Sequence, residues 1–588
     1  MLIPLLFMGD VVGRLFREFA ITLSVTILIS AFVSLTLTPT MCARLLVRRP
    51  EAEQSRFYRV TGEAIERMID FYRTTLRWVL GRQTATLIVA VATLVATILL
   101  YVFIPKGFFP VQDTGMILGI SEAPQSISFA AMAQRQQALA RMLLEDPDVE
   151  GLSSFIGVDG TNVTLNSGRI LINLKPLGSR DLSAAELIRW LQPKLDQVGG
   201  ITLFMQPVQD ITIEDRVSRT QYQYTLQDAD AGELALWSGR LVDRLKASPV
   251  LRDVASDQQH EGLQMALTID RATASRLGIT PQLIDDTLYD AFGQRLVSTM
   301  YTQLNQYRVV LEVKPQFQQS PVSLSNIYVR PPTGGQVPLS AITQATERPA
   351  SLVINHQGQF PAVTLSFNVA PDAALSDAVK AVDSARRELG MPRSVQAGFQ
   401  GAAQAFTASL SSQPILILAA ILTVYIVLGV LYESYVHPIT ILSTLPSAGM
   451  GALLALILTR NDFSVIALIG VILLIGIVMK NAIMMIDFAL EAQRNGGRSA
   501  EDAIFEACML RFRPILMTTM AALLGALPLA LGGGVGAELR RPLGISIVGG
   551  LIVSQLLTLY TTPVIYLAFD RLAERMARRR RGVQAAGV

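Results

Sequence analysis

Two polar side chains, Lys480 and Asn481, interrupt the long apolar run from Phe463 to Phe488. The run is long enough to cross a bilayer. An ammonium group near the middle of such a run costs about 3 kcal/mol or more, so it needs a compensating partner or a task. Lys480 is therefore a candidate functional residue. The structural alternative is that its stem bends toward the aqueous interface.

A second polar group follows in the next apolar segment. Arg511 and Thr518 are seven residues apart and share one helix face, and Thr519 lies beside them. A threonine in a spanning helix usually bonds to its own backbone. Beside a lysine on the preceding helix, however, it could accept a hydrogen bond from the ammonium or hold a water that carries a proton.

Asp487 is the remaining charge within the run. It follows Lys480 by seven residues, which places the two on nearly one face but about 10 Å apart. They cannot pair directly. Asp487 is interpreted chiefly as an interfacial residue at the end of the span, and as supporting the lysine together with Asn481 and Thr519.

The composition indicates a membrane protein. Of 588 residues, 51% are hydrophobic and only 16% are charged. The net charge is only +3 and the basic residues are not gathered into one face, so nucleic-acid binding is not expected. The glycine run 532–536 lacks the lysine and hydroxyl residue of a phosphate-binding loop. We expect no enzyme activity and no cofactor. We also expect no metal site, since His260, His356 and His437 are far apart in the sequence.

Apolar runs predict transmembrane helices at 19–42 and 84–104, five more within 403–572, and the end of another at 1–8. The arginines between Arg44 and Arg82 place the first connection in the cytoplasm. The basic tail 573–588 falls on the same side. Within that connection, 52–82 has the pattern of an amphipathic helix in the membrane interface; the alternative is a helix packed on a soluble partner.

The block between the spans has soluble α+β character and must lie on the far side of the membrane. Residues 105–207 follow the order β-α-β-β-α-β, the split βαβ topology of ferredoxin-like folds. A second such unit is divided into 208–260 and 347–402, with 261–346 inserted as a separate module. The predicted fold class is thus a polytopic α-helical membrane protein that carries a large α+β block.

Several motifs resemble those of proton-driven efflux pumps of the resistance-nodulation-division (RND) superfamily. They are LYES at Leu431 to Ser434, KNAIMMIDFALEAQR from Lys480, LRFRPILMTT from Leu510, and FVSLTLTPTMCARLL from Phe32. The sequences GDVVGRLFREFAITLSV and TLYTTPVIYLAFDRL look most similar to the MdtB/MdtC multidrug subgroup, and to the MdtC type first.

The resemblance implies a function and its partners. Such pumps are inner-membrane permeases of Gram-negative bacteria that exchange protons for amphiphilic drugs, bile salts or similar molecules. They work as trimers, of one subunit type or of mixed MdtB/MdtC-type subunits, with a periplasmic adaptor protein and an outer-membrane channel. The two α+β units would be porter subdomains, and the insertion a docking subdomain. The proton-relay residues of the family fall on Lys480, Arg511 and Thr518.

The chain departs from the family pattern in two respects. The paired aspartates of the family lie on the fourth spanning helix, and this chain starts near the end of the fifth, so it resembles the C-terminal portion and should not pump alone. The loop 157–168 lacks the phenylalanines of multidrug pumps, which leaves Phe155 as the aromatic candidate for a substrate pocket.

Two other functions stay open. A heavy-metal exporter would need converging methionines or carboxylates in the α+β block, but Met205, Met265 and Met300 do not cluster in the sequence. The second is an inactive truncated or accessory membrane subunit.

Overall fold

The computed structural model describes residues 10–46, 56–158, 163–213, 216–318 and 320–585. The predicted helix end at 1–8 lies outside them. The α-helices, in chain order, are α1 (Asp10–Leu45), α2 (Arg56–Leu80), α3 (Gln83–Phe103), α4 (Phe129–Leu144), α5 (Ala184–Leu195), α6 (Ala231–Lys246), α7 (Arg271–Arg276), α8 (Pro281–Phe292), α9 (Leu375–Glu388), α10 (Gly401–Tyr432), α11 (His437–Leu442), α12 (Leu445–Leu458), α13 (Val465–Gly496), α14 (Ala500–Leu531) and α15 (Ala537–Ala585).

Seven helical segments among the described residues are long and apolar enough to span a membrane. They are Phe16–Leu45, Gln83–Phe103, Gly401–Tyr432, His437–Leu458, Val465–Arg494, Ala500–Leu531 and Ala537–Leu572. The polytopic fold class is therefore confirmed. Helix α1 extends beyond the predicted span 19–42 at both ends, and α14 continues through Pro514 and Pro528 as one element.

The first α+β unit is a four-stranded antiparallel sheet covered by two helices. Its strands are β1 (Met116–Glu122), β2 (Val149–Ile156), β3 (Ser167–Leu174) and β4 (Thr202–Pro207), in the order β2-β3-β1-β4. Alternate residues such as Ile170 and Ile172 point inward and pack against Leu139 of α4 and Leu187 of α5, all fully buried. This is the split βαβ arrangement expected from the sequence.

The second unit repeats the arrangement with its halves separated in sequence. Its main strands are β5 (Tyr222–Gln227), β6 (Leu251–Ser256), β14 (Phe360–Val369) and β15 (Gln396–Gln400), with β14 between β6 and β5 and with β15 on the far side of β5. The remaining strands are β7 (Gly262–Ile269), β8 (Arg295–Tyr301), β9 (Gln306–Leu311), β10 (Tyr328–Val329), β11 (Val337–Pro338), β12 (Thr343–Ala350) and β13 (His356–Gln357). Strands β7 to β12 form the inserted module.

The ends of the inserted module lie side by side. Strand β12 pairs antiparallel with β7 along its whole length, from Thr343 opposite Ile269 to Ala350 opposite Gly262. The module therefore extends to Ala350, four residues beyond the predicted boundary at 346, because the last residues of β12 complete the ladder with β7. Adjacent entry and exit strands let the module project from the second unit without disturbing its sheet.

Helix α2 lies against the end of the helical bundle. Its buried face carries Tyr72 and Leu76, and the Tyr72 hydroxyl donates a 2.8 Å hydrogen bond to the Leu559 carbonyl of α15. The opposite face exposes Phe71 and Trp78. This exposed apolar face could contact either the membrane interface or a soluble partner, so the interfacial location of the helix stays a prediction.

The second unit and the membrane helices share one apolar core. Phe108, in the segment after α3, packs in a cluster with Tyr222 of β5, Phe367 of β14 and Val465 of α13. Backbone bonds fix the same junction: Phe463 N–H donates to the Pro105 carbonyl at 2.8 Å, and Val465 N–H donates to that of Phe108 at 3.1 Å. The first turn of α13 is thus joined directly to the base of the second unit.

Helices α12 and α15 approach closely at glycines. A Cβ on Gly549 would collide with the Gly451 carbonyl and the Ala455 side chain. We expect Gly549→Ala to reduce the fraction of folded, membrane-inserted protein, because overpacking a tight contact costs about 1–3 kcal/mol. Gly525→Ala in α14 is the matched control, since a Cβ there meets no neighbouring atom within 4 Å. Equal yields of monodisperse protein for both variants in size-exclusion chromatography would contradict the packing argument.

A buried ion pair joins the start of the first unit to α5. Asp113 accepts from the Arg180 side chain and, at 2.7 Å, from Ala184 N–H. Burial alone would raise the pKa of Asp113, but these hydrogen bonds and the Arg180 charge outweigh it and lower that pKa. Arg180→Met should destabilise the protein by about 3–5 kcal/mol, because it leaves a buried carboxylate unpaired.

The pH dependence of this pair follows from the lowered pKa. The contribution of Asp113 is fully present above the unfolded-state pKa of about 4, and it is lost as the pH falls through the lower folded-state pKa. Thermal unfolding of wild type and Arg180→Met between neutral and acidic pH checks this. The difference in unfolding temperature should shrink on acidification; a difference that grows would refute the assignment.

Candidate functional site

Lys480 lies at the middle of α13, the sixteenth residue of a helix that starts at Val465 and has 32 residues. Its side chain is exposed on the surface of the chain, whereas Val478, Met479 and Ala482 around it are buried. Among the residues that the structure describes, no hydrogen bond or ion pair to Lys480 is formed. Its cation therefore faces outward from the bundle, at the depth where hydrocarbon is least tolerant of charge.

Asp487 shares this outward face of α13. It is exposed and lies within electrostatic reach of the buried Tyr432 at the end of α10. His437 contacts the Tyr432 ring at 6.2 Å and stacks on Tyr566 at 6.3 Å between centroids, and the Tyr566 hydroxyl donates to Gln493 Oε1 at 2.6 Å. These contacts are typical of a packed polar end of a bundle. The location of Asp487 at the membrane interface stays a prediction.

Asn481 points the other way, into the bundle, where it meets two polar side chains. Its Nδ2 donates to Thr519 Oγ1 of α14 at 3.2 Å and to Gln555 Oε1 of α15 at 3.3 Å. The Thr519 hydroxyl also donates to Gln555 Oε1, at 2.8 Å. We call Asn481, Thr519 and Gln555 the amide triad. Each of its hydrogen bonds crosses a different pair of helices, so the triad fixes the relative position of all three.

Thr518 and Arg511 do not join Lys480 in a hydrogen-bonded set. The Thr518 hydroxyl donates to the Ile515 carbonyl of its own helix at 3.1 Å, the ordinary behaviour of a threonine in a span. The Arg511 guanidinium lies over the Phe488 ring of α13, 3.7 Å from its centroid. This cation–π contact joins α14 to α13 one residue beyond Asp487.

Sequence reasoning thus found two members of the triad and missed the third. Gln555 was overlooked because a lone glutamine in the run from Pro542 to Asp570 has no spacing relation to another polar residue. The usable signal was chemical: an amide in a span needs a partner, as the charge of Lys480 does.

Phe155 lies near the end of β2, about half exposed, with the Arg169 guanidinium over its ring at 5.6 Å. A cavity of about 490 Å³ lies elsewhere, between the two α+β units and the segment after α3, and its lining includes Phe108, Phe109, Met205 and Asp462. Burial, and to a lesser extent the Asp377 carboxylate, raise the pKa of Asp462. Phe155 does not line this cavity, which is the stronger candidate for an apolar ligand.

The described part of the chain contains no group of three or more His, Cys, Asp or Glu side chains placed to hold a metal ion. The three methionines considered from the sequence also lie apart. Met205 is in the core of the first unit, Met265 is on β7 of the inserted module, and Met300 is exposed on its β8–β9 hairpin.

Comparison with known proteins gives two findings. A match to the AcrB/AcrD/AcrF family covers residues 1–570. Two crystal forms of a heavy-metal efflux pump superpose on the chain with TM-scores of 0.85 and 0.84, at 23% sequence identity, over 97% of this chain and 57% of theirs. The chain thus spans little more than half the length of those pumps, and at this identity the likeness establishes the fold.

Proposed function

Because this chain belongs to the AcrB/AcrD/AcrF family of RND efflux transporters, we propose that it supplies the lysine of a proton relay that drives export from the inner membrane. The observation that carries the proposal is Lys480 itself, a cation at the middle of a spanning helix, exposed outward and backed by a buried polar triad. A charge in that position is a functional residue by default.

The chemistry of the relay follows from the need to compensate the cation. In the assembled transporter, carboxylates face Lys480 and lower the free-energy cost of burying its charge in the membrane. The family resemblance implies that they belong to a pair of aspartates. Arrival of a proton on the carboxylate removes the attraction, because a neutral acid no longer stabilises the ammonium. Helix α13 then shifts against α14, which carries Arg511 and Thr518, the other two residues that the family resemblance assigns to the relay.

The junction at the start of α13 supports transmission of this shift to the α+β block. Phe463 and Val465 bond to the backbone of Pro105 and Phe108, and Ser376 N–H of α9 donates to the Lys106 carbonyl at 3.1 Å. These bonds connect α13 through one short segment to the second unit. A displacement of α13 is therefore carried into that unit, where alternating access to the cavity takes place.

The proposed substrates are amphiphilic small molecules. The cavity of about 490 Å³, lined by Phe108 and Phe109 beside polar groups such as Arg252 and Asp253, suits a ligand with an apolar body and a polar end. Export of heavy metals is the second candidate, and the observation that favours it is the superposition on two crystal forms of a heavy-metal efflux pump. The resemblance of the motifs to the MdtB/MdtC multidrug subgroup favours amphiphilic substrates over metal ions.

The proposed setting is the inner membrane of a Gram-negative cell. The arginines of the connection 46–82 and of the C-terminal tail favour a cytoplasmic location, which places the α+β block in the periplasm. There the inserted module would meet a periplasmic adaptor and an outer-membrane channel. The working unit would be a trimer with subunits of the same or of MdtB/MdtC type.

The test of the relay is Lys480→Met in the complete transporter. We expect export of a fluorescent amphiphile to fall to the level of cells without the pump, because the uncharged side chain no longer responds to protonation of its partner. Lys246→Met, which removes an exposed lysine from α6, is the matched control and should export normally. Undiminished export by Lys480→Met at equal expression would refute the relay.

The substrate class has its own test. Cells that carry the wild type or Lys480→Met are compared for accumulation of an amphiphilic dye and for growth in copper, silver and zinc salts. We expect the dye phenotype to depend on Lys480 and metal tolerance to be equal in both strains. A difference confined to the metal salts would favour the heavy-metal exporter instead.

A further inference from the structure

Gln555 occupies the centre of the amide triad. Its Oε1 accepts hydrogen bonds from both Asn481 and Thr519, so it is the acceptor through which α15 holds α13 and α14 together. Asn481 is the residue directly after Lys480 and is 6% exposed. Because the two residues are adjacent on α13, a rotation or shift of that helix that moved Asn481 would also change where the Lys480 ammonium points.

The triad leaves one donor and one acceptor unpaired. Asn481 Oδ1 and Gln555 Nε2 are buried and have no hydrogen-bond partner among the described residues. Each amide carries an acceptor oxygen and a nitrogen donor at equivalent positions. A half-turn of both amides would therefore keep all three contacts: Gln555 would donate to Asn481 and Thr519, and the Thr519 hydroxyl would donate to Asn481.

The triad thus has two hydrogen-bonded arrangements with the same contacts and opposite polarity. The two differ in what the unpaired atoms present to their surroundings: an acceptor on Asn481 in one and a donor in the other. A hydrogen-bonded set with two discrete arrangements can switch from one to the other when the charge next to it changes. The helices then keep the same number of hydrogen bonds between them. A pair of apolar side chains at these positions would have no such property.

We propose that Gln555 is a positioning residue of the relay, which holds Asn481 and Thr519 so that Lys480 faces its carboxylate partner in both protonation states. This inference rests on the relay function proposed above. Gln555 itself carries no proton. Within the three spans, α13 carries the charged residues Lys480, Asp487, Glu491 and Arg494, and α14 carries Glu501, Asp502, Glu506, Arg511 and Arg513. Helix α15 carries none between Pro542 and Phe569.

The experiment compares export per folded transporter, and its pH profile, for Gln555→Leu in the complete assembly. We expect export to fall roughly tenfold or more, as for other small misplacements of a reacting group. The pH of half-maximal export should move by about half a unit, because the surroundings of Lys480 change. Thr519→Val should behave in the same way, whereas Thr519→Ser keeps the hydroxyl and should restore the wild-type profile.

Gln493→Leu is the matched control. Gln493 is also a glutamine of the bundle that makes an interhelical hydrogen bond, to Tyr566, but it lies about 18 Å along α13 from Asn481. We expect it to lower the unfolding temperature without moving the pH profile. If Gln555→Leu and Thr519→Val only lower the unfolding temperature, as this control does, Gln555 is structural and the inference is overturned.

Two further outcomes complete the test. Should Gln555→Leu fail to fold, Thr519→Val decides alone, because it removes the same hydrogen bond to Gln555 with almost no change of volume. Lys480→Met, measured in parallel, separates the two proposals. Normal export by Lys480→Met overturns the relay, whereas loss of export there with a normal profile in Gln555→Leu and Thr519→Val overturns only the role of Gln555.

Discussion

Hydrocarbon cannot hydrogen-bond to polar groups or solvate a charge, and the arrangement of the helices follows from that constraint. Within the bundle, Asn481, Thr519 and Gln555 form hydrogen bonds with one another across three helices. Lys480 lies on the outward face of α13 and takes no part in these hydrogen bonds. In the proposed relay, the neutral side chains would hold the three helices together, and the cation would respond to protonation of a carboxylate opposite it.

Close helix approach makes these short polar contacts feasible. A threonine hydroxyl extends little beyond its own helix, so Thr519 reaches Gln555 at 2.8 Å only where α14 and α15 lie close together. Small residues provide that closeness, as Gly549 does between α15 and α12 and Gly544 does between α15 and α14. Packing of small residues and polar pairing are thus linked, as expected where apolar side chains gain little by leaving lipid for one another.

The sequence predicted the architecture better than the site. Apolar runs and split βαβ periodicity are local patterns, so the spans and both α+β units could be read from consecutive residues. The triad is different, because Gln555 lies 74 residues from Asn481 in the sequence and no local pattern connects them. The contact of Arg511 with Phe488 was missed for the same reason, since sequence spacing on one helix says nothing about which ring of the next helix lies opposite.

The cores of the two α+β units show which of them a movement of α13 would reach first. The apolar core of the second unit includes Val465 and Ile469 of α13, whereas the core of the first, within the described residues, runs only from Ile117 to Met205. The two units are connected by polar contacts, in which Arg219 and Gln259 bond to Glu122 of β1. Apolar packing resists relative displacement, while such hydrogen bonds can exchange partners. A shift of α13 would therefore move the second unit as one body with the helix and change its position against the first, which alters the cavity between them.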